Sequence, residues 1–122
     1  ISMTEEKTYT DYDDLAFMYN RYWADRLIDQ IYPTVSELLL SRLKPGQKIL
    51  DVCCGTGQLV SKMTKAGFRA SGMDGSEAML GFARMNASGT EFIQADARSF
   101  WINKKFDAAV STCDSLNHIM DI

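Results

Sequence analysis

Histidine is nearly missing from these 122 residues, with His118 standing alone. Cysteine is sparse as well: Cys53 and Cys54 are adjacent and Cys113 is the third. So few soft ligands do not make a tetrahedral zinc site, and no metal is expected. An odd count with two neighbours is also poor material for a disulfide framework, so reduced, packed thiols are expected. Proline occurs only at Pro33 and Pro45. There is no internal repeat or low-complexity linker, and the length suits one domain. No apolar stretch approaches the roughly 18–20 residues that a membrane helix needs. The opening residues Ile1 to Glu6 are polar and acidic, without the basic-then-apolar pattern of a secretory leader. Positive charge is in deficit: 13 Lys and Arg against 16 Asp and Glu give a formal net charge of −3. That balance is the wrong one for broad contact with nucleic-acid phosphates. A soluble, cytoplasmic protein with no membrane or nucleic-acid partner is the expectation.

What is present is patterned. Apolar residues make up 46% and charged residues 24% of the chain, an ordinary globular composition. Between Asp11 and Gln30 aromatics cluster at Tyr12, Phe17, Tyr19, Tyr22 and Trp23. Leu15, Met18, Tyr19, Tyr22 and Arg26 recur at three- and four-residue steps, which predicts one helical face. Pro33 is expected to interrupt this helix. Val35, Leu38, Leu39 and Leu43 then suggest a second amphipathic helix, ended by Pro45-Gly46.

The period changes at Gln47. Ile49, Leu50, Val52 and Cys53 form a short apolar run into Gly55-Thr56-Gly57, which predicts a buried strand and a tight turn. Leu59, Val60 and Met63 mark a helix closed by Gly67. Phe68 to Met73 reads as a second strand, and Ser76 as the N-cap of a helix through Met79, Leu80, Phe82 and Ala83. Glu91 to Ala95 and Phe106 to Thr112 are the third and fourth strands. The alternation predicts an α/β fold: a parallel sheet with right-handed crossovers and flanking helices. Ligands of such sheets bind beyond the carboxyl ends of the strands.

Three acids lie there: Asp51 near the end of the first strand, Asp74 after the second, Asp96 after the third. A dinucleotide would lay its pyrophosphate over the glycine turn, with an acid about 20 residues on for a ribose. Gly55 and Gly57 begin that fingerprint and Asp74 supplies the acid, but the third glycine position holds Val60. Asp51 would also repel a pyrophosphate. S-adenosylmethionine carries a sulfonium and an ammonium instead, so the charge signs favour it over NAD.

Ile49 through Gly57 resembles the first motif of class I S-adenosylmethionine-dependent methyltransferases. Gly72-Met73-Asp74-Gly75-Ser76 with Met79-Leu80 resembles their second motif, and Ala95-Asp96-Ala97-Arg98 their third. Phe106-Asp107 through Cys113-Asp114-Ser115-Leu116-Asn117 is similar to the fourth-strand segment of a subset acting on small molecules. Tyr12-Asp13 to Trp23 is similar to the tyrosine-rich N-terminal helix that caps the cofactor in that subset. The resemblance implies a Rossmann-like fold of seven strands in the order 3-2-1-4-5-7-6, of which only the first four are found here. Residues 1–44 would form the helical cap and 45–122 the cofactor-binding half-sheet of one domain, incomplete at its C-terminus.

The resemblance also implies roles. Gly55 and Gly57 would bring backbone against the methionine end, with Asp51 orienting it through the turn's amides or a water. Asp74 would take both ribose hydroxyls. Asp96 would accept from the adenine amino group, with the Ala97 amide at the ring. Met79 and the residue after Asp74, Gly75, would wall the adenine. Cys113 would lie near the reactive methyl, while Tyr19 and Trp23 would belong to the cap. Cys53 stands where the family often has glycine, so a tighter pocket is expected.

Plainer readings compete for each residue. Asp74 suits a helix N-terminus and Asp96 an N-cap. Tyr19, Tyr22 and Trp23 suit packing, and Asp51 suits a structural acid holding loop amides. No catalytic residue is singled out: His118 is a weak candidate for a general base, and Cys113 has no base beside it. The expected activity is methyl transfer to a small-molecule acceptor, which needs positioning more than acid–base chemistry. A non-catalytic cofactor-binding or interaction fragment is the alternative, with an NAD-dependent oxidoreductase third. The fourth strand is expected to be an open edge. The chain is therefore expected to be a fragment or to be covered by another chain, to self-associate when isolated, and to be weakly active or inactive alone.

Overall fold

The structure is a computed structural model that describes residues 13–96 and 104–112. It begins with a helical arm: α1 (Asp13–Met18), a π-helical turn (Tyr19–Trp23), and α2 (Ala24–Leu38). Pro33 does not interrupt α2 but lies inside it. Proline costs a helix one donor and crowds the preceding turn, and packing of the apolar side holds the helix through it. That side is Ala24, Ile28 and Val35, all buried, at the four- and seven-residue steps of one stripe. The actual break comes earlier. Trp23 departs from helical geometry at φ −121° and ψ −34°, while Met18 and Ala24 on either side of the turn are helical.

The expected aromatic face is likewise turned around. Leu15, Met18 and Tyr22 are exposed, Tyr19 of that face is partly buried, and Ala16 is buried in α1. A π turn adds a residue and shifts the phase, so 3.6-residue counting across it selects the wrong side. A short 3-10 turn (Leu40–Arg42) ends the arm where the sequence suggested more helix.

Four parallel strands follow: β1 (Lys48–Val52), β2 (Arg69–Asp74), β3 (Glu91–Gln94) and β4 (Ala108–Val110), in the order β3-β2-β1-β4. Between them lie α3 (Gln58–Lys65) and α4 (Glu77–Asn86). Asp74 is therefore the last residue of β2 and not a loop residue, and β3 and β4 are shorter than the apolar runs suggested. Both helical crossovers step the same way across the sheet, so α3 and α4 share one face.

The core lies between that face and the arm, where Ile49, Leu59, Val60, Met63, Leu80 and Ala83 are at most 1% exposed. α2 is tied to α3 by an Asp29–Lys62 ion pair of 3.1 Å. α1 reaches α4 through Phe17 and Phe82, whose ring centroids are 6.4 Å apart. The fold is Rossmann-like, with four of the strands such a sheet uses. Among the described elements β4 pairs only with β1.

Candidate cofactor-binding site

The turn after β1 is built from backbone that most residues avoid. Cys53, Gly55 and Gly57 all have positive φ, at 62°, 58° and 83°. Left-handed geometry costs a side-chain-bearing residue about 1–2 kcal/mol, which accounts for glycine being usual at the Cys53 position in the family that the motif resembles. Gly55 and Gly57 do different jobs. A methyl group added at Gly55 would lie 3.5 Å from the Tyr19 ring, so Tyr19 covers this part of the turn. One added at Gly57 would lie 2.9 Å from the Ala83 Cβ and 3.0 Å from its Cα. Gly57 thus lets the start of α3 approach α4, a packing role beyond the one expected from the motif. The first amides of α3 have no side-chain cap, and uncapped helix amides remain available as donors.

Pairing register explains how the acids meet. Asp51 lies opposite Gly72, two residues before Asp74 on the same strand face. Gly72 has no side chain to separate them, and a Cβ there would lie 2.7 Å from the Cys54 Sγ and the Phe92 ring. Asp74 accepts from the Gly55 amide at 2.9 Å and the Ser76 amide at 3.0 Å, with the Gly75 amide a further donor. Burial raises its pKa and these amides oppose the rise.

Asp51 is deeper, only 2% exposed. Among the described residues neither a hydrogen-bond donor nor a cation offsets its charge. Burial, and then the charge of Asp74, push its pKa well above the ordinary carboxylate value. Asp74 has amide donors that oppose its rise, and Asp51 has none among the described residues. The structural reading of Asp51 as a holder of loop amides therefore fails; that task belongs to Asp74. Cys54 is buried beside both acids, which raise its thiol pKa further after desolvation. It stays a thiol, not a nucleophile.

Asp96 lies two residues beyond β3, partly buried, so the three acids stand at the carboxyl ends of three adjacent strands. Ser76 caps α4, accepting from the Met79 amide at 3.2 Å, and Met79 is buried. Gly75 offers only backbone: its carbonyl accepts from Gln94 at 3.2 Å, so it cannot present a side chain to a base. Tyr19 is brought over the turn, whereas Trp23 stays 50% exposed. Ala97, Cys113 and His118 lie outside the described residues.

Sequence reasoning missed an amide network. Asn20 Oδ1 accepts from Gln58 Nε2 at 3.0 Å and from Asn86 Nδ2 at 2.7 Å. Asn86 Nδ2 also donates to the Thr56 carbonyl at 2.8 Å, and Thr56 Oγ1 donates to Gln58 Oε1 at 2.6 Å. The first two partners lie 38 and 66 residues from Asn20, so no local pattern reveals them.

A second concavity, of about 560 Å³, opens at the amino ends of the strands between Lys48, Arg69, Glu91, Lys104 and Lys105. It lies at the opposite end of the strands from the acids and the glycine turn.

Residues 49–122 match a family described as a methyltransferase domain. The chain is 34% identical over 110 residues to a putative methyltransferase of Geobacillus sp. (strain WCH70), covering 82% of this chain and 44% of that protein. It is 34% identical over 85 residues to the dTDP-3-amino-3,4,6-trideoxy-alpha-D-glucopyranose N,N-dimethyltransferase of Streptomyces venezuelae, covering 70% of this chain and 36% of that protein. The chain thus spans less than half the length of either relative. Among solved structures it is similar to SAM-bound CalS10, an amino pentose methyltransferase from Micromonospora echinaspora. The TM-score is 0.61 at 27% identity, over 73% of this chain and 37% of that one.

Proposed function

The chain belongs to the methyltransferase domain family, and on that premise we propose that its protein is an S-adenosylmethionine-dependent methyltransferase acting on a small-molecule acceptor. The observation that carries the proposal is the buried Asp51 carboxylate, without a donor or cation among the described residues, beside Asp74 under a left-handed glycine turn. A buried charge of this kind is costly unless it is paired. A ligand bringing positive charge fits the crevice, and a pyrophosphate does not. Val60 agrees, being a fully buried core residue where a dinucleotide fingerprint would have glycine. The relatives also support it: one is an N,N-dimethyltransferase and one similar structure is SAM-bound.

The cofactor supplies a methyl group already activated on a sulfonium. The chain's residues then bind and orient. Asp51 would attract the ammonium of the methionine end, and the uncapped first amides of α3 would suit its carboxylate. Asp74 spends part of its acceptor capacity on the turn and keeps lone pairs for two ribose hydroxyls. Asp96 and Met79 remain for the base. The Tyr19 ring shields the turn from water. With the cofactor so held, the contribution of these residues to methyl transfer would be proximity and orientation. A cytoplasmic setting suits Cys53 and Cys54, neither of which is in a disulfide, and belongs to the same proposal.

Calorimetric titration of the protein with S-adenosylmethionine, S-adenosylhomocysteine and NAD tests the reading. The first two are expected to bind and NAD is not; binding of NAD alone overturns it. Asp74→Ala is expected to weaken S-adenosylhomocysteine by about 100-fold, the loss of two charge-assisted hydrogen bonds.

A further inference from the structure

The arm divides at Trp23 into two differently held parts. α2 is anchored by Ala24, Ile28 and Val35 in the core and by Asp29 on Lys62. Beyond the break, α1 and the π turn leave Leu15, Phe17, Tyr22 and Trp23 at least 50% exposed. Such a segment has little apolar burial to hold it and belongs to the weakly stabilised part of a fold. Yet its Tyr19 ring covers Gly55, and the residue after Tyr19 makes polar contact with both crossover helices. The Asn20 carbonyl oxygen receives one hydrogen bond from the first residue of α3 and one from the last residue of α4. Both donors are oriented by further bonds, since Gln58 accepts from Thr56 Oγ1 and Asn86 also donates to the Thr56 carbonyl. Thr56 sits between the two glycines of the turn and is fully buried. The network therefore joins the covering segment to the turn it covers.

We propose that Asn20 is a positioning residue: accepting from Gln58 and Asn86, it latches the Tyr19 ring over the glycine turn and sets the residence time of the cofactor. This rests on the function proposed above. An acceptor oxygen is the required feature, because both partners present N–H groups. The Asn20 oxygen is engaged by Gln58 and Asn86, so its loss is expected to act through Tyr19 on release more than on capture.

The test is the dissociation rate of S-adenosylhomocysteine from the full chain, followed by tryptophan fluorescence in stopped flow. Asn20→Ala is expected to release the ligand about tenfold faster, in line with two lost neutral hydrogen bonds. Asn20→Asp, which keeps an acceptor for both donors, is expected to stay within about threefold of the parent rate. Should Asn20→Ala fail to melt cooperatively, Asn86→Ala removes the bonds to Asn20 and to the Thr56 carbonyl while leaving the Gln58 bond, and should speed release about threefold. Parent-like release from Asn20→Ala, or release from Asn20→Asp as fast as from Asn20→Ala, overturns the latch while leaving the cofactor assignment standing. Absence of binding to the parent chain overturns both.

Discussion

The two ends of the sheet are made from the same strands and are physically unlike. At the amino ends, polar groups are matched locally. Gly46 donates to the Gly67 carbonyl at 2.8 Å, Arg69 to Gln47 at 2.9 Å, and Asp107 and Lys48 exchange bonds of 2.8 Å. The charges there are exposed, and Lys104 pairs with Glu91 at the surface. At the carboxyl ends, backbone is held in left-handed conformations, two carboxylates share a buried site, and Asp51 has no partner among the described residues. Strain and unpaired charge persist only where surrounding structure enforces them, and they concentrate at functional sites. The amino end closes the fold, and the carboxyl end buries a carboxyl group that no donor or cation among the described residues meets.

Three substitutions sharpen or break this contrast. Gly57→Ala should have the largest effect on stability, about 3 kcal/mol, from left-handed strain added to overlap with Ala83. Denaturant unfolding reads it directly, and a midpoint like the parent's would mean that α3 and α4 do not pack as described.

Asp51→Asn should move stability the other way. Both acids have raised pKa values in the fold, so their stabilising contribution is complete below the ordinary 3.8 and is lost as pH rises through the raised values. At pH 7 the ligand-free fold therefore carries a cost that an amide at position 51 removes. A gain of at least about 1 kcal/mol is expected at pH 7, shrinking toward pH 4, with S-adenosylmethionine bound about tenfold more weakly. A variant that is less stable at neutral pH would place Asp51 among the structural acids.

Lys104→Ala probes the other end and should change stability by less than about 0.5 kcal/mol, because an exposed ion pair contributes little. A loss comparable with that of Gly57→Ala would erase the difference between the two ends.

Much of this architecture was legible before the fold was known, and the gaps have identifiable causes. The strand–turn–helix units around Gly55 and Ser76 were readable because apolar period, cap and glycine are local signals. Pro33 misled because a buried stripe outweighed its helix-breaking tendency. The aromatic side of the arm misled because the π turn changed the phase at Tyr19–Trp23. Among site residues, Asp51, Asp74 and Asp96 were found as strand-end acids. Gly57 was found for a narrower reason than the one it serves, and Asn20, Gln58 and Asn86 gave no sign of meeting.

Sequence alone determined the order of elements, the parallel sheet and the carboxylate character of the crevice, because hydrophobic period and residue charge act over a few neighbouring positions. Tertiary structure decided that Asp51 faces Asp74 with no counter-ion among the described residues, that Gly57 admits Ala83, and that Asn20 ties the arm to the turn. Those facts depend on strand register and helix approach, which bring together residues up to 66 positions apart and have no expression in local pattern.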